Sequence, residues 1–169
     1  MDAKNTASRT FVPPGALDRF DMRILEILQH DNKTSQRAIG DMVGLSAPAV
    51  QRRIKSMEDA GVITANVAVV DPARVGQVIT ILVEVWVESE RIDLLDATKA
   101  RFAAAPEVQQ CYYVTGEADF MLVVSVATMA HYEALTRRLF FDNPNIKRFR
   151  TLVVMDRVKV TLKVADAGL

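Results

Sequence analysis

Gln51, Arg52 and Lys55 are the residues whose types and spacing most directly suggest chemistry. With Pro48 they fall on one side of a helix drawn through GLSAPAVQRRIKSMEDAG, residues 44–61. Val50, Ile54 and Met57 recur at helical spacing on the other side. A short helix with one dry face and one amide-plus-cation face suits a reader of double-stranded DNA. Arg and Lys contact guanine or phosphate, and Gln pairs with adenine. Ser46 can cap the helix, Pro48 sits in the first turn where no N–H is needed, and Gly61 supplies the stop. An ordinary amphipathic surface helix would carry the same pattern, so the flanking segments must decide between the two.

Other reactive side chains are sparse. The two histidines, His30 and His131, are far apart and make no metal-ligand spacing, so no metal and no cofactor is expected. Cys111 falls inside a predicted strand and reads as a small core residue rather than a nucleophile. A lone cysteine excludes an internal disulfide and fits a reducing compartment, so a cytoplasmic location is expected. No stretch approaches the length of a membrane span, and residues 1–15 lack the apolar run of a signal peptide. With no catalytic constellation in view, the chain is expected not to be an enzyme.

The bulk properties leave room for nucleic acid. The 169 residues are half hydrophobic and carry a formal net charge of zero. One domain or two small ones with a packed core would fit. Zero net charge at first argues against a polyanionic partner. Yet between positions 32 and 56, Lys33, Arg37, Arg52, Arg53 and Lys55 stand against a single acid, Asp41. A neutral chain can present such a local patch, and a dimer would present it twice.

The elements that must hold the reading helix are legible on both sides. Residues 17–30 read as a first helix, with Asp18 and Asp21 in a capping-box-like arrangement and Ile24, Leu25 and Leu28 facing inward. Residues 34–43 read as a second, with Ala38, Ile39, Met42 and Val43 inward. The turn Gly44-Leu45-Ser46 then leads into the third, which is helix-turn-helix order. Residues 62–70 alternate like a strand, and Asp71-Pro72 and Gly76 punctuate a hinge.

Beyond residue 77 the pattern becomes βαββαβ. Strands are predicted at 78–88, 108–115, 120–127 and 146–164, and helices at 93–105 and 128–141. In the first strand Ile79, Ile81, Val83, Val85 and Val87 share one face. Leu94, Leu95, Thr98 and Phe102 share a face of the first helix; Met129, Tyr132, Leu135 and Leu139 share one of the second. This order gives a ferredoxin-like sandwich with both helices on one side of an antiparallel sheet. Leu82 and Trp86 then lie on the helix-free side, where an exposed tryptophan suggests that a partner covers the sheet. The fold class is therefore α+β. A tail at 1–15, expected to be flexible, precedes a helix-turn-helix domain at 16–64, a hinge at 65–76 and a second domain at 77–169.

LDRFDMRIL at 17–25, AIGDMVGLSAPAVQRRIKSMEDAGVI at 38–63 and VQQCYYVTGEADFMLVV at 108–124 together resemble the Lrp/AsnC family of bacterial and archaeal regulators. The likeness covers nearly everything after Gly15. It implies a transcription regulator with an N-terminal winged helix-turn-helix and a C-terminal RAM/ACT-like βαββαβ domain. That domain would mediate dimerisation, often onward to octamers, and bind a small effector such as leucine or methionine. Carried onto this chain, the resemblance implies DNA contacts from Ser46, Ala47, Pro48, Gln51, Arg52, Arg53 and Lys55. Arg53, off the outer face, would reach phosphate or a neighbouring acid. The effector loop would be Thr115, Gly116, Glu117, Ala118 and Asp119. Backbone N–H groups near Gly116 can hold a carboxylate, and Asp119 or Glu117 an ammonium. Asn145 stands where relatives often carry glycine before the last strand, a turn variant on this reading. Ala47-Pro48 offers no polar side chain, which leaves base readout to Gln51 and Arg52 and gives DNA shape a part.

Two other classes remain open at this point. Some decarboxylases of modified haem synthesis resemble the same two-domain architecture, and an assembly module without DNA affinity would share it too.

Overall fold

Asp18 opens the first helix by accepting the N–H groups of Phe20 (2.8 Å) and Asp21 (3.0 Å), and the Asp21 carboxylate takes the Asp18 N–H in return (3.1 Å). This reciprocal capping box fixes the start of α1, Arg19–His30. A computed structural model describes residues 17–165 of the chain; the tail expected at 1–15 lies outside them. By internal contacts the chain forms two compact units, Val69–Val160 and the segments on either side of it.

The first unit is helical. Ser35 and Ser46 cap α2 (Gln36–Val43) and α3 (Ala47–Asp59) by accepting the N–H groups of Ala38 and Ala49. Gly44, in the left-handed region, ends α2. Gly40 is the tight point of the motif. Its carbonyl takes the N–H groups of both Gly44 (2.8 Å) and Leu45 (3.0 Å). A Cβ there would collide with the Leu45 carbonyl oxygen. Only glycine lets the turn fold back so closely onto α2. Ile24, Ile39, Val50 and Met57 form the buried centre, flanked by Leu25, Leu28, Val43 and Ile54. Met42, expected inside, is 54% exposed: the eight residues of α2 bury too narrow a stripe to include it.

Residues 62–70 were expected to form a strand, and they do not. They have no ladder partner among the described residues, and Val67, Val69 and Val70 are exposed. Alternation marks a capacity for pairing, but a strand needs an edge to pair with. Part of the expected hinge is instead a single 3₁₀ turn, Pro72–Val75, closed by Gly76.

The second unit is one antiparallel sheet of four strands in the order β2-β3-β1-β4. In chain order these are β1 (Ile79–Val87), β2 (Val108–Tyr113), β3 (Phe120–Val126) and β4 (Ile146–Val153). Between them run α4 (Ile92–Ala103) and α5 (Met129–Thr136), the latter continuing into a π-helical turn at Arg137–Phe141. Ile81, Val83, Val85 and Val87 of β1 meet Phe120, Leu122 and Val124 of β3 beneath Leu95, Phe102, Tyr132, Leu135, Leu139 and Phe140 of the helices. Met129, expected inward, is 49% exposed in the first turn of α5, before the helix reaches the core.

The last strand is shorter than predicted. It ends at Val153, and Val158, Val160, Leu162 and Val164 are exposed without a ladder. From Thr161 the chain belongs with the helical unit, where Gln29 exchanges two hydrogen bonds with the Val164 backbone. No helix among the described residues is long and apolar enough to cross a membrane.

Candidate nucleic-acid interface and ligand loop

The third helix meets the geometry asked of a reading element. Val50 and Met57 are buried, and Pro48, Gln51, Arg52 and Lys55 are all exposed. Ser46 is spent on the helix cap and Ala47 is half-buried. Lys55 makes only an exposed pair with Asp59 at 3.5 Å, which yields readily to a phosphate. Lys33 and Arg37 are exposed in the same unit.

Arg53 departs from this face. Its guanidinium lies 2.8 Å from Asp21 and 2.9 Å from Asp18, with its side chain only 28% exposed. It also stands over the Phe20 ring. Of the two roles expected, the structure shows the neighbouring acid holding the side chain. The reason is Asp21: a carboxylate with 9% exposure requires a cation beside it. The pairing pulls Asp18 below the ordinary aspartate value, through the Asp21 N–H first and Arg53 after it, against some desolvation.

The loop Thr115–Asp119 joins β2 to β3 and is closed by the Val114 N–H donating to the Asp119 carbonyl (2.9 Å). Gly116 sits at φ +127°, which other residues rarely adopt, and Thr115, Gly116 and Glu117 are exposed. Ala118 is buried. Asp119 differs from expectation. Its N–H donates to the Val85 carbonyl (3.0 Å), and its Oδ2 accepts the Val87 N–H (2.7 Å). One carboxylate oxygen therefore holds the end of β1.

Asn145 was read as a turn variant; it is a buried brace, 4% exposed. Its side chain accepts from the Ser89 N–H (3.0 Å) and donates to the Ser89 carbonyl (3.2 Å). Its own carbonyl takes the Glu88 N–H, and its N–H goes to the Asn143 side chain. It ties the exit of β1 to the start of β4, at the sheet end that also carries the Thr115–Asp119 loop. Asn-Pro-Asn reads locally as a turn; its long-range partner Ser89 leaves no local signal.

The remaining chemistry-bearing residues stay apart. His30 and His131 are exposed, and no group of three His, Cys, Asp or Glu among the described residues is placed to hold a metal. Cys111 packs against the sheet core, where burial raises its thiol pKa.

Comparison with known proteins agrees with this geometry. Residues 17–64 match the family model for a winged helix-turn-helix DNA-binding region, and residues 80–164 that for the Lrp/AsnC ligand binding domain. The chain belongs to the Lrp/AsnC family. It is 46% identical over 148 residues to an uncharacterised HTH-type transcriptional regulator of Sinorhizobium fredii, covering 88% of each chain. It is 34% identical to the leucine-responsive regulatory protein of Haemophilus influenzae, covering 86% of this chain and 88% of that one. A crystal structure of an AsnC family regulator from Agrobacterium tumefaciens superposes with a TM-score of 0.82 at 32% identity, covering 88% of this chain and 97% of the other. As an Lrp/AsnC protein the chain is a DNA-binding transcriptional regulator with a ligand-binding domain. The first family region falls on the helical unit, and the second covers the sheet unit from residue 80 and runs on to residue 164.

Proposed function

We propose that this regulator reads specific DNA sites through Gln51, Arg52 and Lys55, and that an amino acid bound at the Thr115–Asp119 loop alters its assembly or its DNA affinity. The observation that carries the first half is the exposed amide-and-cation face of a capped third helix, from which Arg53 is withdrawn. The second half is supported by the exposed Thr115, Gly116 and Glu117, with Gly116 at positive φ, in a family whose named relatives include a leucine-responsive protein. Self-association, as a dimer or an octamer, is part of the same reading, and the helix-free sheet face that carries the half-buried Leu82 and Trp86 supports it. The effector acts as a coupling free energy: it binds one arrangement of copies more tightly and shifts the population toward it. No catalytic role is proposed.

Selection of bound sites from a random duplex pool, followed by titration of single amino acids into the binding assay, tests the reading. One sequence class should be enriched, and at least one amino acid should shift the midpoint. Asp119→Asn should keep the fold, because an amide oxygen can still accept the Val87 N–H, yet lose the response. Absence of any enriched site would refute the DNA reading; a full response from Asp119→Asn would move the effector elsewhere.

A further inference from the structure

The side of the sheet away from the helices is not uniformly apolar. Leu82, flanked by Val123 and Leu152 in register, forms one row across it. Trp86 lies two rows away, with the Arg148 guanidinium 4.1 Å over its ring. Between these rows stands Glu84, paired in register with Met121 on one side and Arg150 on the other. The Arg150 Nε donates to the Glu84 carboxylate, and the Glu84 side chain is only 17% exposed. Arg150 holds that carboxyl below the usual glutamate range by hydrogen bond and charge, so it is ionised at neutral pH. An acid–base pair thus sits between an aliphatic row and the Trp86–Arg148 stack.

Such a pair is indifferent to stability in water but selective once covered. Apolar rows tolerate sliding; a charge pressed against leucine does not. A two-fold contact sets the same patch against itself, so residue i meets j while j meets i. A patch holding a negative and a positive group side by side is self-complementary under that operation. A guanidinium has five N–H donors, enough to serve its own carboxylate and a second one.

We propose that the Glu84–Arg150 pair selects register and partner in a sheet-to-sheet contact between two copies of this chain, each Glu84 meeting the other copy's Arg150. This rests on the self-association put forward above, and the test separates the two ideas. The full-length double variant E84R/R150E keeps its internal pair with the signs exchanged. Differently tagged parent and swapped chains are mixed, allowed to exchange, and weighed by native mass spectrometry. Each should associate with itself, and the mixed dimer should fall at least about ten-fold below its statistical share, because two like-charge contacts would face each other. Mixed dimers at the statistical share, with both parents dimeric, would overturn the pair's role and leave self-association standing. A parent chain that stays single at all concentrations would overturn both. Should the swapped chain melt early, the single variants Glu84→Arg and Arg150→Glu serve instead. Each alone should associate poorly and their equal mixture should recover; no recovery would overturn the proposal.

Discussion

The Arg53 guanidinium lies 2.8 Å from the carboxylate of Asp21, thirty-two positions earlier in the chain, and this contact binds the third helix to the start of the first. A basic residue in the middle of a DNA-reading helix is thereby a structural one. Replacing Arg53 with Ala leaves Asp21 nearly buried without its cation, a loss of about 1–3 kcal/mol for an unsatisfied group. The melting temperature of the helical unit should fall. The dependence of DNA affinity on salt should keep its slope, because no phosphate contact is removed. Calorimetry and binding at three salt concentrations would check both halves.

Gln51, Arg52 and Lys55 should behave in the opposite way. Each is exposed, so truncation to Ala leaves folding untouched. Loss of a bidentate base contact from Gln51 or Arg52 should cost about 1–3 kcal/mol on a selected site and less on random duplex. Lys55→Ala should weaken both alike and reduce the salt slope by about one. Fluorescence anisotropy with the two duplexes separates these outcomes.

The acid limb of stability should report Asp18. Its carboxylate is held below its ordinary value by the Asp21 N–H and by Arg53. A depressed folded-state pKa means the stabilisation is complete above the ordinary aspartate value of 3.8 and is lost as pH falls through the lowered one. Asp18→Asn still caps α1 but cannot titrate, so its denaturant midpoint should be flatter than the parent's in that window.

Asn145→Ala should strand both the N–H and the carbonyl of Ser89 at a half-buried site. A loss of about 1–3 kcal/mol is expected, confined to the sheet unit. Hydrogen exchange should show Glu88 and Ser89 losing protection while α1 to α3 keep theirs.

The parts of this chain readable from sequence are those set by neighbours a few residues away. The capping box at Asp18, the Ser46 cap and the βαββαβ order are all local, and periodicity marked Val83, Leu95 and Phe102 as core. What escaped depends on distant partners. Nothing near Arg53 announces Asp21, nothing near Asn145 announces Ser89, and nothing in the turn announces that Gly40 must clear the Leu45 carbonyl. The alternating aliphatic residues at 158–164 misled for the same reason: alternation describes one strand, and pairing requires two.

Trp86 is the only tryptophan in the chain, and it lies on the helix-free side of the sheet beneath the Arg148 guanidinium. The protein therefore carries its own optical probe at that position. A change in emission colour on dilution, or on adding an amino acid, would report on that surface without any label or substitution.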